Sequence, residues 1–174
     1  MPSAGTARPT IPIVGLIGCR PFPEGLEGAL AAWLGEPWLR SGDWEFTATH
    51  YYDRELGSPL TRSFRAFSPR VPELGAWKQT SQALESRWQT ARGRRVNIDP
   101  GCVGLGGLFL ASTKPGGHRI WLGSGIYAEI TRYYHQGRWA ALPWTFPDYA
   151  GGLYDAFLTE CRNHLMRSLR ETDR

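Results

Sequence analysis

The chain has 174 residues with 41% hydrophobic and 21% charged side chains, which suits one soluble globular domain and excludes a disordered or fibrous chain. Its formal charge of +4 is compatible with anionic ligands but too mild to mark a nucleic-acid-binding protein. Cys19, Cys102 and Cys161 are odd in number and show no C-x-x-C spacing, which excludes a disulfide framework and a zinc knuckle, leaves no disulfide partner and points to the cytoplasm.

In chain order, residues 1–8 read as a flexible tail ahead of a single domain over 9–174, and the tail lacks the charged-then-apolar order of a secretory signal. The apolar run from Ile11 to Gly18 is far too short to span a bilayer, so no membrane partner is expected, and IPIVGLIGC, from Ile11 to Cys19, reads as a buried first strand. Leu26, Leu30 and Leu34 recur at helical spacing behind Pro23, predicting a helix over 24–35. From Trp44 to Asp53 the residues alternate as a strand does; the break LGSP leads to a second strand over 60–67, and the two form a hairpin. Leu74, Trp77, Leu84 and Trp88 share one face of a helix expected from about Pro72 to Thr90. Strands and hairpins follow from Arg95 to about Leu142. Leu153, Phe157, Cys161, Leu165 and Leu169 keep a four-residue stride, predicting an amphipathic helix over 151–169. This order describes an α+β domain, mainly antiparallel, with a ferredoxin-like β-α-β-β-α-β core plus an added hairpin and a C-terminal helix.

The chemistry-bearing residues concentrate between Arg95 and Tyr149. With Gly123, Ser124 and Gly125 as a three-residue loop, Leu122 opposes Ile126, Trp121 opposes Tyr127, and Arg119 opposes Glu129. Read plainly, this is an ion pair beside an aromatic pair; read functionally, an arginine orients a carboxylate toward a ligand. In RRVNIDPG the Asp-Pro-Gly end reads first as a turn. Against that, Asn97 and Asp99 share a strand face, as an amide and a carboxylate holding a hydrated magnesium ion do. Glu55, Glu129 and Asp148 are the carboxylates that complete such a sphere.

Lys114, His118 and Arg119 flank a Gly-Gly turn able to clasp an anion through charge-assisted bonds. Lys78 and Glu85 lie seven apart on a helix with Gln82 between them, either a surface salt-bridge row or a pair reaching the sheet edge. PWTFPDY is a proline-pinned segment whose Trp144, Phe146 and Tyr149 plug the core or line a pocket. STKPGGHR lacks the P-loop spacing and IVGLIGCR lacks G-x-G-x-x-G. None of His50, His118, His135 and His164 sits in a G-x-S-x-G or H-E-x-x-H pattern, so covalent hydrolysis is not expected.

Taken together, YYDRELGSPLTRSF, AWKQTSQALE, RRVNIDPG, LASTKPGGHRIWLGSGIYAEIT and PWTFPDY resemble the bacterial family catalogued as domain of unknown function 4416, over nearly the whole chain from Ile11. The resemblance runs through Tyr51, Tyr52, Glu55, Gly57, Arg62 and Phe64, then Lys78 and Glu85, then Asn97, Asp99, Pro100 and Gly101. It continues through Lys114, His118, Arg119 and Glu129 and ends on Trp144 to Tyr149. Cys102, Ser81, Trp121 and Phe146 depart from the family's Tyr, Asn, Tyr and Tyr, which leaves the ionisable set intact. Members are sometimes labelled GTP-binding, so the resemblance implies nucleotide binding but supplies no reaction.

The leading expectation is a pocket for a phosphorylated small molecule or nucleotide. Arg62, Lys78, Lys114, His118 and Arg119 neutralise its charge, and Asn97, Tyr52, Tyr127 and Trp144 complete the binding set. Asp99, Glu129 and His118 are the catalytic candidates, and Glu55, Asp99, Glu129 and Asp148 the magnesium ligands for phosphoryl or hydrolytic chemistry. One alternative is an RNA-binding module that stacks bases on Tyr51, Tyr52, Trp121, Tyr127 and Tyr133. Another is a scaffold in which every pair is a satisfied salt bridge. The pocket and RNA readings differ in whether Asp99 and Glu129 stand in a concavity with the basic residues or far from an open basic face.

Overall fold

The apolar run from Ile11 to Gly18 lies at the centre of the molecule, buried along its whole length. The computed structural model describes residues 7–172, so residues 1–6 of the expected tail lie outside the described residues; Ala7 and Arg8 carry no regular structure. The elements are β1 (Ile11–Gly18), α1 (Leu26–Leu34), β2 (Leu39–Arg40), β3 (Trp44–Glu45), α2 (Asp53–Leu56), β4 (Thr61–Ala66), α3 (Leu74–Ser86), β5 (Gln89–Thr90), β6 (Gly93–Arg94), β7 (Asn97–Val103), β8 (Gly107–Ser112), β9 (Ile120–Gly123), β10 (Ile126–His135), β11 (Arg138–Ala141), α4 (Pro147–Ala150) and α5 (Asp155–Thr172). Strands bond antiparallel in the order β11-β10-β8-β7-β1-β4-β2, with β3 added to β4 and β9 to β10, while β5 and β6 make a separate ribbon. The chain is thus a single α+β domain on an open, mostly antiparallel sheet.

Helices cover both faces of β1, which is why its sequence does not alternate with polar residues. Val14 and Leu16 point into a core with Leu26, Leu30 and Leu34 of α1 and Trp77 and Leu84 of α3. Ile11 and Ile13 point the other way, into a core with Phe64 and with Phe157, Leu158, Cys161 and Leu165 of α5. No helix among the described residues is long and apolar enough to cross a membrane.

The functional geometry comes from a split in the sheet. β7 pairs with β8 only from Gly101 to Val103, against Leu108 to Leu110. Towards Asn97 the two strands part, and β8 continues on β10 as far as Ser112 opposite Tyr127. The split follows from residue chemistry: Pro100 has no N–H to offer a partner strand, and the Ile98 N–H donates to Glu85 Oε1 of α3 at 2.6 Å. Gly101 stands where the strands rejoin, because a Cβ there would lie 2.5 Å from the Leu110 side chain and 2.7 Å from the Phe109 carbonyl oxygen.

Several expectations are corrected. The strand from Trp44 to Asp53 ends at Glu45; the Thr49 hydroxyl caps the Tyr51 N–H at 3.1 Å in a local turn, and α2 follows. Only the start of the expected hairpin exists, with Trp44 opposite Arg62. Asp-Pro-Gly is extended strand, not a turn, held flat by pairing with β1. In the β9–β10 hairpin Trp121 does oppose Tyr127, but Gly123 opposes Ile126 through a bulge. The connection is a two-residue turn with Ser124 and Gly125 both at positive φ, which matches strand twist better than the expected three-residue loop. His118 and Arg119 precede β9 and are not strand partners. The last helix starts at Asp155, leaving Leu153 outside it.

Candidate functional site

The two arms of the split, β7 on one side and the end of β8 with β10 on the other, enclose a cavity of about 270 Å³. α3 crosses it with Lys78, Gln82 and Glu85, while Phe46, Tyr51 and Tyr52 come from the loop ahead of α2. Cationic side chains reach it from separate parts of the chain: Arg62 of β4, Lys78 of α3, Arg94 of β6, and Lys114 and Arg119 between β8 and β9.

Arg62 forms the floor. It faces the same side of the sheet as Asp99, because Ile17 of β1 opposes both Arg62 and Asn97, and Gly15 opposes both Phe64 and Asp99. Its guanidinium crosses β1 above Gly15, where a Cβ would lie 2.9 Å from Nη1. Nη2 donates to Asp148 Oδ2 at 3.1 Å, and the two side chains are 4% and 5% exposed. Nη1 lies 3.7 Å from Asp99 Oδ2, and neither Nη1 nor Nε has a hydrogen-bond partner among the described residues. The Phe46, Phe64 and Tyr149 rings surround the guanidinium at 5.1 to 5.5 Å, which recovers part of its desolvation cost.

Asp99 stands on the wall with a quarter of its side chain accessible (25%). Its Oδ1 is 3.3 Å from Lys78 Nζ, and its Oδ2 accepts from Asn97 Nδ2 at 2.6 Å. Burial pushes this carboxyl up, but Lys78 and Arg62 outweigh it and hold the group below the ordinary Asp range. Burial and the nearby Asp99 charge push the Tyr52 phenol up to about 12, so it faces the cavity as a neutral hydrogen-bond donor and acceptor. Beside them Arg94 joins two carboxylates, Glu85 Oε2 at 2.7 Å and Glu55 Oε1 at 2.9 Å. Burial lifts the Glu85 carboxyl despite that contact.

The opposite wall is built around Glu129 of β10. Arg119 Nε donates to its Oε2 at 2.7 Å, the Thr131 hydroxyl donates to Oε1 at 3.2 Å, and His118 Nε2 lies 3.3 Å from Oε2. Arg119 Nη1 also donates to the Lys114 carbonyl oxygen at 2.7 Å, which shapes the loop. The Lys114 ammonium sits 4.3 Å above the Tyr51 ring at the mouth.

The family model described as domain of unknown function (DUF4416) matches residues 20–165, a span that contains every residue of the cavity wall. The chain belongs to the DUF4416 family. No curated protein matches it, and no solved structure does.

In this DUF4416 chain the cavity brings together Asp99, Glu129, Arg62, Lys78, Lys114, Arg119, Asn97 and Tyr52. It leaves others outside. His118 stands behind Glu129, stacked on Trp144 with ring centroids 5.2 Å apart, and Trp144 Nε1 donates to the Ile130 carbonyl oxygen; both buttress the wall without forming it. Tyr127 pairs with Trp121 on β9 and is not a wall residue. Asp148 is sealed below the floor between Arg62 and the Tyr154 hydroxyl. Glu55 faces a separate recess beside Arg92 and Arg95.

Of the four carboxylates expected around magnesium, Asp99 and Asp148 share Arg62, with Lys78 also on Asp99, while Glu55 meets Arg94 and Glu129 meets Arg119. No three Asp, Glu, His or Cys side chains among the described residues gather as a cation site.

Of the walls not expected as site residues, Gln82 and Glu85 lie one and two turns beyond Lys78 on its helix face and were within reach of that spacing. Arg94 sits in a run of arginines with no periodicity to give its side chain a direction.

Proposed function

We propose that the DUF4416 domain binds a phosphorylated small molecule in this cavity. The observation that carries the reading is Arg62, a nearly buried guanidinium at the cavity floor whose Nη1 and Nε nitrogens have no hydrogen-bond partner among the described residues. Those nitrogens are themselves buried, so an arriving anion meets Arg62 through its charge and not through those bonds, and offsets part of the cost of burying the guanidinium. Lys114 and Arg119 at the mouth supply further donors for phosphate oxygens. Tyr51, Tyr52 and Phe46 offer flat apolar area for a ring.

At about 270 Å³ the cavity sits just under the roughly 300–1,000 Å³ of ordinary ligand pockets, which favours a sugar phosphate or mononucleotide over a dinucleotide. A guanine nucleotide belongs to that class. In this reading magnesium enters with the ligand's phosphates, and Glu129, oriented by Arg119 and His118, is the group placed to accept a proton in hydrolytic turnover. The three free thiols suit a cytoplasmic setting. Against the RNA alternative, Asp99 and Glu129 share the concavity with the basic residues.

The test is a thermal-shift screen of nucleoside monophosphates, sugar phosphates and single-stranded RNA. A phosphorylated small molecule raises the melting temperature of wild type, by about 2.7 kcal/mol of stabilisation at a hundredfold excess over Kd, but not that of Arg119→Ala. Stabilisation by RNA alone overturns the reading.

A further inference from the structure

We propose that Asp99 makes the deep end of the cavity selective for an oxyanion that still carries a proton, so that a phosphomonoester is taken up as its monoanion. The inference rests on the phosphate reading above and adds the ionic form of the ligand that the site accepts.

A carboxylate is an unexpected neighbour for an anion. Asp99 nonetheless stands beside Arg62 and Lys78, with part of its side chain open to the cavity. Two anionic oxygens in contact repel unless a proton lies between them, in which case the contact becomes a short O–H to carboxylate bond, one of the strongest available to neutral or charged groups. Asp99 has the capacity to accept it. Its contact with Lys78 is long at 3.3 Å and Asn97 takes one direction on Oδ2, out of roughly four lone-pair directions on a carboxylate.

The proton has to come from the ligand. The groups facing Asp99 are Lys78 from α3, Arg62 from β4, Asn97 on its own strand, Tyr52 ahead of α2 and Tyr149 of α4. Two cations hold Asp99 in its ionised form, and the two phenols stay neutral far above physiological pH. A phosphomonoester with a second pKa of about 6 supplies the proton below neutrality and loses it above. Sulfate supplies none at any pH of interest.

The experiment is isothermal titration of the full chain with methyl phosphate and with sulfate at pH 5.5 and 8.0, repeated on Asp99→Asn. Wild type is expected to bind methyl phosphate about 75-fold more weakly at pH 8.0 than at pH 5.5, following the loss of monoanion for a second pKa of about 6, and to bind sulfate no better than methyl phosphate at pH 8.0. Asp99→Asn, whose amide donates to an anion, is expected to bind both ligands with little pH dependence.

Equal wild-type affinity for sulfate and methyl phosphate at pH 5.5, or methyl phosphate binding that is flat or rising with pH, overturns the inference while leaving the phosphate reading intact. Loss of affinity with pH shared by sulfate, or kept by Asp99→Asn, also overturns it and assigns the effect to a group other than Asp99. Absence of binding by methyl phosphate at both pH values overturns both readings. The wild-type comparison decides the matter even if Asp99→Asn fails to fold.

Discussion

Arg62 and Asp99 lie on strands that never touch, β4 and β7, yet face each other at 3.7 Å across the bare Cα of Gly15. β1 runs between them, and only a residue without a side chain lets the guanidinium pass over it. Gly15→Ala would place a Cβ 2.9 Å from Arg62 Nη1 and 3.0 Å from the Phe64 ring. We expect a stability loss of about 1–3 kcal/mol, the usual cost of overpacking a filled core, read from the urea midpoint, together with weaker ligand binding.

Below that contact, Asp148 is the one carboxylate among the described residues within hydrogen-bond distance of Arg62, at 3.1 Å. Asp148→Ala strands a buried cation and also frees the Tyr154 hydroxyl. The expected cost is about 3–5 kcal/mol, measured by chemical denaturation. A loss under about 1 kcal/mol would show that Asp99 alone neutralises the guanidinium.

At the mouth, Lys114 is exposed and touches the Tyr51 ring, so its removal should separate binding from folding. Lys114→Ala is expected to change stability by no more than about 0.5 kcal/mol. It should weaken the phosphorylated ligand about tenfold, the worth of one charge-assisted bond of roughly 1.5 kcal/mol. Titration calorimetry alongside urea unfolding checks both.

Acid should unfold the protein in a definite window. The carboxyls of Asp99 and Glu55 are both held below their ordinary values of 3.8 and 4.5, burial being outweighed by Lys78 and Arg62 in one case and Arg94 in the other. A depressed folded pKa adds stability that is complete above the unfolded value and disappears as pH falls through the folded one. We therefore expect the urea midpoint to hold above about pH 5 and fall below pH 4, with a shallower fall in Asp99→Asn, whose side chain has no proton to gain.

How much of this was legible in the sequence depended on the range of the forces involved. IPIVGLIG announced a central strand because burial on both faces leaves no room for polar alternation, and Phe157, Cys161 and Leu165 announced α5 by stride alone. The types of the cavity residues were legible too, since Asp99, Lys114, Arg119 and Glu129 are charged side chains along segments that read as strands. Their convergence was not, because it depends on where β7 leaves β8. That point is set by Pro100 and by Glu85 reaching Ile98 from another element, a long-range contact that no local period records. The alternation from Trp44 to Asp53 misled for a related reason: pairing beyond Glu45 needs a partner strand, and the chain instead turns to bring Tyr51 and Tyr52 to the cavity mouth.

The most direct measurement is an NMR titration of isotopically labelled protein with a nucleoside monophosphate or sugar phosphate, following backbone amides and arginine Nε–H signals. If the split sheet is the binding site, shifts should centre on residues 97–99, 111–114 and 129–131 and on the Nε–H signals of Arg62 and Arg119. Shifts confined to the exposed face around Trp121 and Tyr133, or none at saturating ligand, would contradict it.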